Sequence, residues 1–180
     1  MKSFVVTEVA QVEALASPIR SRILELLQES GDRSVAELAQ ILSASAAATH
    51  YHVDVLVRVG LAVESGRRRT GPRMERTYSA VANKIRISPR EDSPEFSEAL
   101  LNLAKSSVRK LEKDVVSAFE EQRVEDAVRI TFQKGRIRKE DLPKLLSLLS
   151  EAAALLSEQG EGPQFVLRSF LIAVPEDAKK

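Results

Sequence analysis

Ser34-Val35-Ala36-Glu37-Leu38-Ala39-Gln40-Ile41-Leu42-Ser43-Ala44-Ser45-Ala46-Ala47-Ala48-Thr49-His50-Tyr51-His52 is the stretch that decides the fold. Ser34 and Glu37 have the spacing of a capping box, in which each side chain satisfies the other residue's backbone N–H. Val35, Leu38, Ala39 and Leu42 then share one face of a helix of about two to three turns. Ser45 is placed to cap a following helix over 45–59, and Gly60 suits its C-terminal stop. The two helices are therefore joined by a very tight turn at Ser43-Ala44. Upstream, Ser17-Pro18 opens another helix, because serine can cap and proline suits the first helical position. Ile19, Ile23, Leu26 and Leu27 follow at helical spacing, and Gly31 closes it. Beyond Gly60 the apolar period changes to two: 61–64 and 75–79 read as strands, joined by a polar loop over 65–73 with a basic tip.

Further out, the polar stretch 88–94 is interrupted by Pro89 and Pro94 and reads as a linker. Ser93-Pro94 opens a long helix to about residue 123. In it Leu101, Ala104, Val108, Leu111, Val115 and Ala118 recur at alternating steps of three and four, the seam by which one helix packs along another. Val128, Ile130 and Phe132 alternate as in a strand, 142–156 forms an amphipathic helix with Pro143 in its first turn, 160–163 breaks it, and 165–174 is a last strand. Phe119, Phe132, Phe165 and Phe170 are expected in the core. The expected fold class is α+β in two domains: residues 1–90, three helices and a basic hairpin, and residues 91–180, the long helix with a small α/β unit.

Composition narrows the functions open to such a chain. With 43% hydrophobic and 29% charged residues, the sequence is that of a folded domain rather than a disordered one. It has no cysteine and only two histidines, which removes disulfides, thiolate chemistry and sulfur-ligated metals. No apolar run reaches the roughly 18 residues of a membrane span, and the first residues lack a secretory apolar core, so a cytoplasmic location without membrane contact is expected. Net charge is only +1, yet residues 64–90 carry eight basic and two acidic residues. That asymmetry suits a local site for a polyanion. No nucleophile–histidine pairing and no phosphate-binding glycine loop is evident, so neither catalytic residues nor a cofactor is expected.

A helix, a tight turn, a second helix and a basic hairpin are the parts of a winged helix-turn-helix. From Leu15-Ala16-Ser17-Pro18-Ile19-Arg20 through Leu38-Ala39, Tyr51-His52 and Gly60-Leu61 to Arg76-Thr77-Tyr78, the first half resembles ArsR-type regulators. The resemblance implies a transcription regulator that binds double-stranded DNA, with repression as the family-like expectation. It also implies that the helix after Ser45 enters the major groove. Thr49, His52, Val53, Leu56 and Gly60 then face the core. Ser45, Ala46, Ala47, Ala48, His50, Tyr51 and Arg58 face DNA, with His50 and Tyr51 as base-edge readers, and Arg67, Arg68, Arg69, Arg73 and Arg76 of the wing meet phosphates or the minor groove.

Two positions depart from the family pattern. Ser43 stands where many members have glycine, and Asp54 places a carboxylate near phosphates unless Arg58, one turn away, pairs with it. A metal site is not expected: the family's cysteine ligands are absent, and His50 and His52, two residues apart, point about 200° apart on a helix. Leu101, Ala104, Val108, Leu111 and Val115 are the expected dimer interface, making the protein a homodimer on an inverted-repeat operator. The second domain leaves room for a small-molecule effector. The alternatives to this reading are a winged helix used for protein contacts and a metal-responsive regulator.

Overall fold

The computed structural model describes residues 3–70, 73–88, 93–120 and 135–155. Its elements run β1 (Ser3–Val6), α1 (Val9–Ala16), α2 (Pro18–Ser30), β2 (Arg33–Ser34), α3 (Val35–Ile41), α4 (Ala46–Arg58), β3 (Ala62–Thr70), β4 (Arg73–Ala80), β5 (Lys84–Ile87), α5 (Pro94–Glu120) and α6 (Leu142–Ala154). This is an α+β chain with a long helix after a winged helix-turn-helix region. The strands expected over 128–132 and 165–174 lie outside the described residues.

Ser34, Ser45 and Ser93 cap their helices as the sequence predicts, whereas Ser17, at the start of α2, makes no side-chain cap hydrogen bond. Ser34 Oγ accepts from the Glu37 N–H while Glu37 Oε2 accepts from the Ser34 N–H at 2.7 Å, and Ser45 Oγ accepts from the Ala48 N–H. α3 and α4 end in the same way. The Ala44 N–H reaches back to Ala39 O and the Leu61 N–H to Leu56 O, each at 2.9 Å, with a left-handed residue just before the donor. That residue is Gly60 at φ 74° after α4, but Ser43 at φ 51° after α3.

Two small sheets flank the helices. β2 and β3 lie on either side of β4, both antiparallel to it, and β1 pairs parallel with β5, Ser3 opposite Lys84 through Val6 opposite Ile87. The pairing of β1 with β5 and the presence of α1 are not marked by the pattern before Ser17. α1 is held by Gln11, whose Oε1 accepts from the Thr7 and Glu8 N–H groups while its Nε2 donates to Val59 O at 3.0 Å.

The wing differs from expectation. Residues 65–70 are not loop: β3 and β4 run on as a ribbon with Arg67 opposite Arg76 and Arg68 opposite Glu75, interrupted by an irregularity between Glu64 and Gly66. Backbone pairing carries this ribbon, and its mostly polar residues hide the period of two that marks a half-buried strand.

The chain divides into two compact units, Met1–Glu112 and Lys113–Lys180, rather than at residue 90. Phe96 and Ala99, near the start of α5, are buried in the same core as Val12, Ile23, Leu38, Val53, Leu56 and Tyr78, and Leu100 and Leu103 pack against it. Burying a phenylalanine removes enough apolar surface, about 2 kcal/mol in worth, to make the first turns of α5 part of the first unit. In the second unit α6 begins after a 3-10 turn at Lys139–Asp141, with Pro143 in its first turn. Phe119 is 52% exposed, against the expectation of a core residue.

Candidate nucleic-acid interface

α4 presents two unlike faces. Thr49, Val53 and Leu56 are buried, while Ala46, Ala47, Ala48, His50, Tyr51 and Arg58 are exposed. Tyr51 is 60% exposed, large and unsupported except for an edge contact with the His52 ring at 5.4 Å. The expected division of this helix into a core side and an outward side thus follows from its apolar spacing. Ser45 is also exposed, but its hydroxyl is used as the N-cap.

Asp54 is paired differently from expectation. Its Oδ2 lies 3.0 Å from His50 Nδ1, one turn N-terminal, rather than beside Arg58. With Nδ1 beside that carboxylate, Nε2 is the ring nitrogen left for an outside partner. His50 therefore presents a single polar atom, and Arg58 keeps its charge for another group.

His52 is half-buried on the inner side of the helix, and its Nδ1 is buried without a hydrogen-bond partner among the described residues. Burial, reinforced by the positive charge of Arg20, holds its pKa below the ordinary imidazole value. A neutral ring is the form this site accepts.

The wing arginines are not equivalent. The Arg68 guanidinium is bound by Glu37 Oε1, and Arg76 lies 3.5 Å from Glu64. Glu37 thus holds two things at once: one oxygen caps α3 and the other clasps the wing. Arg67 is exposed, with no ion pair among the described residues, and Arg69 is exposed on the same strand. Arg73 lies at the start of β4. Sequence reasoning misses the partners Glu37 and Glu64. Glu64 has a signal there, close before the arginine run on the same strand, but Glu37 has none, since its approach to Arg68 depends on how the hairpin lies over α3.

On α5, Leu101 and Val108 are each about half exposed, Ala104 is exposed, and Leu111 and Val115 are partly buried. Among the described residues no group of three His, Cys, Asp or Glu side chains is placed to hold a metal ion, and no helix is long and apolar enough to cross a membrane.

A short helix packed across a second one, an outward face on the second, and a two-stranded ribbon clasped beside them define a winged helix-turn-helix domain. Residues 15–65 match the family described as a helix-turn-helix domain. Among solved structures the chain is similar to Rv0081 of Mycobacterium tuberculosis, with 32% identity over 58% of this chain and 87% of that one, TM-score 0.33. It is also similar to reduced HlyU from Vibrio cholerae, with 25% identity over 54% and 84% and TM-score 0.33. A third match is the homodimeric winged helix-turn-helix fragment of Mb0332 from Mycobacterium bovis, a possible ArsR-family regulator, with 20% identity over 68% and 87% and TM-score 0.34. No curated protein matches the sequence significantly. The N-terminal half of the chain is thus similar to the ArsR-type winged helix-turn-helix regulators.

Proposed function

We propose that the protein is a DNA-binding transcription regulator that acts as a twofold dimer. In this reading α4 lies in the major groove and the β3–β4 ribbon lies against the neighbouring backbone. The observation that carries it is the outward face of α4, where small residues at Ala46, Ala47 and Ala48 allow close approach and Tyr51, His50 Nε2 and Arg58 supply polar reach. The exposed Arg67 and Arg69 beside it fit phosphates. Asp54 is tolerable near DNA because His50 engages it.

One such helix reads only a few base pairs, so a dimer on an inverted repeat, with half-sites about 34 Å apart, supplies the specificity. The stripe of Leu101, Ala104, Val108, Leu111 and Val115 on α5 is the surface through which two copies join. The second unit, from Lys113, is a place where a small-molecule effector could act.

Titration of duplex DNA against salt tests this reading. Affinity should fall linearly on logarithmic axes, and alanine at Arg67, Arg68 and Arg69 together should reduce the slope by about 0.9 for each phosphate that is no longer neutralised. Substituting His50 or Tyr51 should change preference among operator variants more than non-specific affinity. A chain that binds duplex DNA no better than a neutral protein does would overturn the proposal.

A further inference from the structure

α4 carries one side chain that binding to a polyanion does not call for. Ala47, Tyr51, Asp54 and Arg58 fall within about 60° of one another around the helix, opposite the buried Thr49, Val53 and Leu56. Asp54 is thus a carboxylate on the outward face, with its side chain 45% exposed. His50 Nδ1 lies 3.0 Å from one of its oxygens, Oδ2. Among the described residues no hydrogen bond or ion pair engages the other oxygen, Oδ1.

An ionised carboxylate only accepts hydrogen bonds, whereas most polar atoms on the base edges of the major groove are acceptors as well. Guanine presents O6 and N7 there, and thymine O4, so either base meets Asp54 acceptor to acceptor. Adenine has a donor at N6 with the N7 acceptor beside it, which sets one attraction against one repulsion. Cytosine presents a single polar group, the N4 amino donor.

We infer that Asp54 is a specificity-determining residue that selects cytosine: Oδ1 accepts from N4 of one cytosine in each half-site, while His50 stays beside Oδ2. The inference rests on the DNA-binding reading above and names a base that it selects. The carboxylate repels phosphates on every duplex and recovers that loss only where an amino group stands opposite it, so its contribution is a difference between sequences rather than a gain in affinity. Tyr51 and Arg58, about one turn away on either side, are exposed and carry donors suited to guanine O6 and N7. The outward face as a whole therefore fits G·C pairs.

Selection from a pool of random-sequence duplexes by the full chain, followed by titration of the enriched duplex with each base pair in turn at every position and at fixed salt, tests this. The wild-type chain should enrich cytosine at one position of each half-site and bind the other pairs there about tenfold more weakly. Asp54→Asn should move the preference at that position to adenine, since an amide accepts from N6 and donates to N7. Asp54→Ala should bind random duplexes more tightly than the wild type and lose the discrimination at that position, and circular dichroism should show both variants folded. Variants that gain affinity for all duplexes equally and keep the wild-type base preference at every position would overturn the readout while leaving DNA binding intact, as would a wild-type selection that enriches no cytosine. A chain that binds no duplex at all would overturn both.

Discussion

Ser43 and Gly60 occupy the same place in the same motif, the left-handed residue after a helix whose follower donates back into the last turn. Glycine accepts that conformation without strain, whereas a side chain there costs about 1 kcal/mol or somewhat more. Part of that cost offsets the extra freedom glycine has in the unfolded chain. Ser43→Gly should therefore stabilise the protein by about 0.5 kcal/mol, and Ser43→Val should destabilise it by more than about 1 kcal/mol, both read from denaturant unfolding. His52 carries a different consequence. The folded chain holds its imidazole neutral through burial and the charge of Arg20, while the unfolded chain protonates at the ordinary value of 6.5. Stability from this site is thus full above that pH. It declines as the pH drops through and below 6.5, until the folded form is protonated as well. His52→Gln should flatten that part of the stability profile, and an unchanged profile would show that another group sets the acid limit.

The helices of the first unit are legible at the level of the element because their signals are local: a cap, an apolar stripe and a stop lie within a few residues of one another. α2 and α4 each carry all three, and α3 carries the first two with Ser43 where a glycine stop is usual. β1 and α1 are not legible because β1 is defined by a partner about eighty positions away and α1 by a glutamine that reaches across to Val59. The length of the wing is hidden for another reason. A ribbon with polar residues on both faces has pairing to hold it but no apolar alternation to announce it. On the candidate surface the outward residues of α4 are readable from the spacing of Thr49, Val53 and Leu56, whereas the clasp between Glu37 and Arg68 is not. That clasp predicts a divided effect for Glu37→Gln. Glutamine can still complete the capping box, so α3 should survive with less than about 1 kcal/mol of destabilisation. The wing, no longer held by an ion pair, should exchange its backbone amides faster in hydrogen-exchange measurements. Equal protection in β3 and β4 of both proteins would show that the ribbon does not depend on the clasp.

For the whole molecule, the boundary at Glu112 rather than at residue 90 is the main revision, and it follows from Phe96. The linker signal around Pro89 and Pro94 reads as a division between domains, yet the chain after it re-enters the first core. A fragment of residues 1–112 should unfold cooperatively with the stability of the first unit, while one ending at residue 90 should be severely weakened. Phe96→Ala in the full chain should cost about 3–5 kcal/mol, measured by thermal or denaturant unfolding. A fragment of residues 1–90 as stable as the longer one would return the boundary to the linker. The parallel pairing of β1 with β5 has a further consequence, mechanical in kind. Tension applied between Ser3 and Ser88, points that bypass α5, draws β1 from its Ser3 end and β5 from its Ile87 end, in opposite directions along neighbouring strands. The paired positions then bear the load together in shear instead of peeling apart one by one. The four helices α1 to α4 and the wing lie between those two strands in the chain, inside the loop that they close, and are shielded from a pull between these points until this small clamp gives way.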